Sequence, residues 1–173
     1  MTVAVEVDVR DLVGHPGASR ATRVHQPIVG MATPLARVPD DRPVDAELLL
    51  ESVIEGIYVS GEVSGEMDLS CGSCLKPIEQ PFAVEVHELF AEPGTADPDE
   101  DYGLSPEGVI DIEPMLRDAV VLTMPFSPRC TPDCKGLCPR CGGDRNLGEC
   151  ACAPETDARW DVLASIEFPD ENH

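Results

Sequence analysis

Apolar and polar residues alternate most regularly over residues 56–71, GIYVSGEVSGEMDLSC. Ile57, Val59, Val63, Met67, Leu69 and Cys71 fall on one face, with Gly61 and Gly65 between them. Tyr58, Ser60, Glu62, Ser64, Glu66, Asp68 and Ser70 fall on the other. A period of two held over such a length predicts a long strand with one face in water. Its two glycines mark places for bulges or tight curvature, the devices by which a sheet rolls up. After CGSCLKP the alternation resumes over residues 79–90 with Phe82, Val84 and Val86, which makes a hairpin with Cys71 and Cys74 at its connection. Residues 3–9, VAVEVDV, read as a half-buried strand. Residues 46–54, AELLLESVI, supply a third neighbouring strand, with a short helix as the rival. Residues 14–43 lack periodicity and predict a long loop, with a short strand near Ile28 and Val29.

The period changes to that of a helix in DIEPMLRDAVVLTMP. Ile112, Met115, Leu116, Ala119, Val120 and Thr123 share one face, Asp111 is placed to cap the start, and Pro125 stops the helix. Met115 and Met124 read as packing residues. Upstream, residues 77–116 contain eleven Asp or Glu and no Lys or Arg. The centre of that span, about residues 92–108, reads as a mobile acidic loop, a solvated linker in the plain reading and a docking surface for a basic partner in the sharper one. Calcium is disfavoured, because the alternation of oxygen ligands is absent. Near the C-terminus, Ala158, Trp160, Leu163 and Ile166 suggest a short helix anchored by the tryptophan.

Charge changes what these elements can do. The chain has 173 residues and a formal net charge of -21, with 33 acidic against 12 basic side chains. Such a surface repels phosphate backbones unless positive charge is concentrated locally. No run reaches the roughly 18 apolar residues that cross a bilayer. The start, MTVAVEVDVRDLVG, lacks the pattern of a signal peptide, so a cytoplasmic and reducing setting is expected. In that setting, close cysteine spacing favours metal or redox chemistry over disulfides.

Six of the eight cysteines lie in CTPDCKGLCPRCGGDRNLGECAC, at Cys130, Cys134, Cys138, Cys141, Cys150 and Cys152. CPRCGG is the most informative piece. Two thiolates about one turn apart, followed by glycine, form a knuckle that aims both sulfurs at one point. Cys138 and Cys141 are therefore the expected core of one structural Zn²⁺ site. The remaining two ligands are expected from Cys134 or Cys130 and from Cys150 or Cys152. Three disulfides would need an oxidising compartment, and an iron–sulfur cluster would also use four thiolates. A catalytic zinc would keep an open position beside a base, and no His lies between His87 and His173. Arg129, Lys135, Arg140 and Arg145 make this the most basic stretch, the leading candidate for contact with RNA phosphate, though solvated surface charge is the plainer reading. Cys71 and Cys74 could be half of a second metal site, a redox dithiol or inert thiols in a turn; the turn reading is preferred, although eight cysteines do divide into two sets of four.

The order of these features resembles the YceD family of large ribosomal RNA subunit accumulation proteins, in its zinc-cluster-containing branch. The resemblance rests on the strand ending in CGSCLKP, the FAVEVHELF strand, the acidic loop, the helix DIEPMLRDAVVLTMP, the cluster with CKGLCPRCGG and the tail DARWDVLASI. Members commonly carry Arg before the second cysteine of the hairpin pair; Ser73 stands there in this chain, so no role of that arginine carries over. The cluster occurs in part of the family, which implies a stabilising feature and not the shared activity. The resemblance implies a non-enzymatic factor for accumulation of 23S ribosomal RNA and assembly of the large subunit, whose partner would be a basic ribosomal protein or a pre-rRNA complex. No membrane or small-molecule partner is expected. The alternatives are a thiol redox protein or a zinc-dependent adaptor unrelated to ribosomes, and an RNA hydrolase is disfavoured for want of a phosphate-binding loop. The expected architecture is a β-rich α+β domain over residues 1–128, its antiparallel sheet free to roll into a partial barrel, with one core helix. A zinc-ribbon-like module over 129–153 and a helical tail over 154–173 follow.

Overall fold

In the computed structural model, residues 5–93, 102–148, 150–152 and Arg159 are described. The chain divides into two compact units, Met1–Cys134 and Lys135–His173. The cysteine-rich segment is thus shared between them, with Cys130 and Cys134 in the first. The tail around Trp160 lies outside the described residues, as do residues 94–101 of the acidic loop.

The first unit is built on β1 (Glu6–Asp8), β2 (Ser19–Pro27), β3 (Ala36–Arg37), β4 (Pro43–Val53), β5 (Gly56–Ser70), β6 (Pro77–Ala91), β7 (Tyr102–Gly103), β8 (Val109–Asp111) and the helix α1 (Glu113–Thr123). The main sheet runs β2-β4-β5-β6-β7, with β3 on the free end of β5. It is open, not closed into a barrel. Its pairs are antiparallel except β6 with β7, which is parallel at Phe90↔Tyr102. A separate two-stranded ladder joins β1 to β8.

The alternation read along β5 is the alternation observed. Ile57, Val59, Val63, Met67, Leu69 and Cys71 are all buried. Val44, Ala46, Leu48 and Leu50 of β4 line the same side, so AELLLESVI is a strand and not a helix. The helix lays Met115, Leu116 and Val120 against this layer, while Thr123 is exposed. Asp111 is not its cap, since the helix begins after Ile112. The Asp111 carboxylate instead accepts from the Glu113 and Val5 amides at 3.0 and 3.2 Å, tying the helix start to the N-terminal strand. Glu113 is buried and paired with Arg117, whose guanidinium also donates to the Val29 carbonyl at 3.3 Å.

Two further sequence expectations are corrected. Residues 14–43 are not one long loop, for β2 runs nine residues in register with β4 and ends at Pro27, just before the place where a short strand was expected at Ile28 and Val29. β2 lacked a signal because it is an edge strand in which only Val24 is buried, so backbone pairing holds it while side-chain burial contributes little. Nor does Gly61 mark a bulge. The pairing runs through it unbroken, Leu48↔Gly61 on one side and Gly61↔Val86 on the other. Its φ of +153° and the Glu47 carbonyl oxygen, 2.1 Å from where a Cβ would stand, exclude any side chain there. Gly61→Ala should therefore cost about 3 kcal/mol or more, read as a lower urea midpoint, whereas Gly142→Ala, with open space around it, should cost about 1 kcal/mol.

Candidate metal centres

The hairpin fixes the first site. The fifteen-pair ladder between β5 and β6 ends at Ser70↔Pro77, so Cys71 and Cys74 lie in the turn that closes it. The Cys71 amide donates to the Lys76 carbonyl at 2.9 Å, and the Leu75 amide donates to the Cys71 carbonyl at 2.8 Å. Leu75 takes φ +60°, the one described non-glycine residue with positive φ. Beyond α1 the chain returns to this turn. The Gly72 amide donates to the Pro128 carbonyl at 2.8 Å, which carries Cys130 and Cys134 alongside.

The four sulfurs of Cys71, Cys74, Cys130 and Cys134 all lie within 4.8 Å of one another. Cys71 Sγ stands 3.8 Å from Cys134 Sγ, and Cys74 Sγ 3.5 Å from Cys130 Sγ. These separations are far longer than a disulfide bond of about 2.05 Å. They match the edges, about 3.8 Å, of a tetrahedron of sulfurs around a metal with bonds of about 2.3 Å.

The second unit holds the second group, Cys138, Cys141, Cys150 and Cys152, whose sulfurs also lie within 4.8 Å of one another. The Cys138 amide donates to the Gly143 carbonyl at 2.8 Å, and the Gly142 amide donates to the Cys138 carbonyl at 2.9 Å. Gly142 takes φ +70°. An isolated bridge, Leu137↔Asp144, closes the loop behind it. The Asn146 side chain accepts from the Lys135 amide at 2.9 Å and so ties the two ends of the segment together.

Electrostatics is alike in the two groups. Amides of Cys130, Cys74 and Ser73 donate to the Cys71 sulfur and draw its pKa down to about 6. Those of Cys141 and Arg140 do the same for Cys138, also to about 6. The Lys76 amide pulls Cys74 downward, but burial and the thiols of Cys71, Cys130 and Cys134 carry it up to about 12. The sulfurs of Cys141 and Cys138 push Cys152 up to about 12. One thiolate per site is welcomed and a further one is resisted, as happens when like charges share a small space without a counter-charge. A divalent cation would reverse that resistance. Each group could hold a metal ion.

The structure sorts the cysteines differently from the spacing argument. Cys138 and Cys141 do share a site, but both Cys150 and Cys152 join them, and neither Cys130 nor Cys134 does. One residue between Cys150 and Cys152 is enough for both sulfurs to reach the same point. Cys71 and Cys74, preferred as inert turn thiols, complete the other group. The signal that could have found it was the pairing of a second Cys-x2-Cys with the leftover Cys-x3-Cys. Arg129 is exposed in the first unit, and Lys135, Arg140 and Arg145 are exposed in the second, so the four basic residues do not belong to one module.

Comparison with known proteins places these features in a family. The model of the large ribosomal RNA subunit accumulation protein YceD matches residues 59–167. An uncharacterised protein of Mycobacterium tuberculosis is 34% identical over 173 residues, covering 96% of this chain and 83% of its own. One from Mycobacterium leprae is 31% identical over 171 residues, covering 96% of this chain and 79% of its own. The uncharacterised protein YlbN of Bacillus subtilis is 33% identical over 84 residues, 47% of this chain and 49% of its own. No solved structure matches.

The left-handed turn at Leu75 gives a local test. Leu75→Gly should leave stability unchanged or raise it by up to about 1 kcal/mol, since a left-handed leucine is strained and its side chain is exposed. Leu75→Val, branched at Cβ, should cost about 1–2 kcal/mol, both read by chemical denaturation.

Proposed function

The chain belongs to the YceD family, and from that premise we propose that it is a non-enzymatic factor promoting 23S ribosomal RNA accumulation and large-subunit assembly. The family's name carries the role in large-subunit ribosomal RNA; the manner of acting is our reading. It works by transiently holding a basic large-subunit ribosomal protein, alone or within a pre-rRNA complex.

The observation that carries this reading is a row of carboxylates on the outer face of the main sheet. Arg23, Glu47, Glu62 and Glu85 stand directly opposite one another across β2, β4, β5 and β6. Like charges at directly paired positions destabilise a sheet. Only the first of the three glutamates has an arginine across from it, the Arg23–Glu47 pair at 3.1 Å. Toward the hairpin turn, Glu66 and Asp68 are met by Arg42 at 3.7 and 3.2 Å. Repulsion built into a regular, otherwise well-formed sheet suits a surface whose counter-charge arrives with a partner. Attraction of this kind speeds encounter and is screened by salt.

In this reading the polar groups serve the fold and the partner and not a reaction. The cavity of about 420 Å³ lined by Ala32–Arg37, Asp68–Ser70 and Pro77–Glu79 holds Asp68 engaged with Arg37 and Arg42. Among the described residues, no buried side-chain nitrogen or oxygen lacks a hydrogen-bond partner. No described helix is long and apolar enough to cross a membrane.

In this reading the second unit is a structural zinc module held by Cys138, Cys141, Cys150 and Cys152. Its two large apolar residues between Cys134 and Cys152 are Leu137 and Leu147, the latter 85% exposed. Burial cannot fold such a segment, and coordination would supply the missing free energy.

Depletion of the protein in its host should lower 23S relative to 16S ribosomal RNA and reduce free large subunits on a sucrose gradient. Unchanged ratios would refute the assembly role. Separately, Glu62→Gln should raise fold stability by about 0.5 kcal/mol by relieving the row, while weakening capture of basic ribosomal proteins at low salt. A gain in stability with no loss of capture would remove the acidic face from the account.

A further inference from the structure

The turn that closes the β5–β6 hairpin repeats the backbone of the C-terminal knuckle, hydrogen bond for hydrogen bond. In each, the first cysteine's amide donates to the carbonyl five residues on, Cys71 to Lys76 and Cys138 to Gly143. In each, the amide four residues on donates back to that cysteine's carbonyl, from Leu75 and from Gly142. The residue making the second bond has positive φ in both, +60° at Leu75 and +70° at Gly142. Amides two and three residues on, those of Ser73 and Cys74 or of Arg140 and Cys141, donate to the first cysteine's sulfur in both. That arrangement suits a thiolate, which accepts several amide donors at once.

Hairpin loops often hold one residue in the left-handed conformation, ordinarily glycine or asparagine. Leu75 instead bears the left-handed backbone that Gly142 takes without strain, and such strain persists where the surroundings impose it. What surrounds it is a second pair of thiols. Cys130 and Cys134 come from the segment after α1, 56 and 63 residues along the chain from their sulfur neighbours Cys74 and Cys71. Cys71, Cys74 and Cys134 are buried and Cys130 is half-buried, so four thiols are gathered largely out of water with no disulfide between them.

We propose that Cys71, Cys74, Cys130 and Cys134 form a second structural zinc site, separate from the C-terminal one, so that the chain binds two Zn²⁺ ions. Four thiolates and no histidine select a soft, tetrahedral cation and leave no open position, which makes the site a clamp and not a catalyst. Each thiol loses its proton on coordination. The clamp fastens the hairpin turn to the segment that follows the helix, closing loops far longer than any local knuckle does. The proposal is independent of the ribosomal reading and survives if that reading fails.

Metal content of the full chain, purified from zinc-supplemented cells without chelator, tests it by elemental analysis and native mass spectrometry. The expected result is two zinc ions per chain, falling to one in Cys74→Ser and to one in Cys141→Ser, the retained ion differing between the variants. Cobalt titration of the unaltered apo chain covers the case in which Cys74→Ser does not fold. Thiolate-to-cobalt charge-transfer absorption should grow linearly to two equivalents. Saturation at one equivalent, or one zinc in the unaltered chain that Cys74→Ser leaves in place, would overturn the second site. Iron with acid-labile sulfide in place of zinc would overturn it as well, as would rapid reaction of Cys71 and Cys74 with a thiol reagent in the zinc-loaded chain.

Discussion

The unbroken register between β5 and β6, from Gly56↔Ala91 to Ser70↔Pro77, is the constraint on which the first unit depends. It fixes which face of β5 is buried, because a slip of one residue would turn Ile57, Val59, Val63, Met67 and Leu69 into water. It gives α1 its floor, since Val86 and Phe90 of β6 are buried on the side where Met115 and Leu116 pack. It also sets where the turn falls, and so where Cys71 and Cys74 stand. Register is kept by glycine at two close approaches. Gly56 and Gly61 each lie where a Cβ would come within 2.1 Å of a neighbouring strand's carbonyl oxygen. The tight fit on both sides of β5 leaves no room for the strand to slide.

The same ladder lines up the acidic row on the opposite face. A sheet whose inner face is specified so strongly can tolerate repulsion on its outer face, because a few tenths of a kcal/mol per like-charged pair is small beside the burial of five large aliphatic side chains. Fold and proposed binding surface are thus two faces of one pattern. The alternation that makes one side oily leaves the other free to carry charge, and in this chain that charge is largely negative.

Much of this was legible in the sequence, and the physical reason is periodicity. β5, β6, β4 and α1 bury one face each, so burial wrote a period of two or 3.6 into the chain. β2 was misread because an edge strand with one buried side chain, Val24, is held by backbone bonds that any residue can make. The helix start was read one residue early, for Asp111 does accept the Glu113 amide but from outside the helix, while it also serves Val5. For the metal centres, spacing found the Cys138–Cys141 knuckle because Gly142 and Gly143 advertise its turn. It leaves the turn at Cys71 open between metal, redox and inert thiols, because Leu75 occupies the left-handed position without advertising it. It missed the sorting of the cluster, since which sulfurs meet is decided by where the chain returns after α1. That return rests on the Gly72–Pro128 hydrogen bond, a long-range contact that no local spacing encodes.

On the two-site proposal, a metal on four thiolates joins the hairpin turn to the segment after the helix. Hydrogen exchange resolved to single amides, on the full chain before and after removal of metal by a strong chelator, tests it most directly. The amides of Cys71, Gly72, Leu75 and Cys134 should lose at least tenfold in protection, while Val59 and Val63 at the centre of β5 keep theirs. Equal protection at the turn with and without chelator would mean that the hairpin closes without metal, and would contradict the claim.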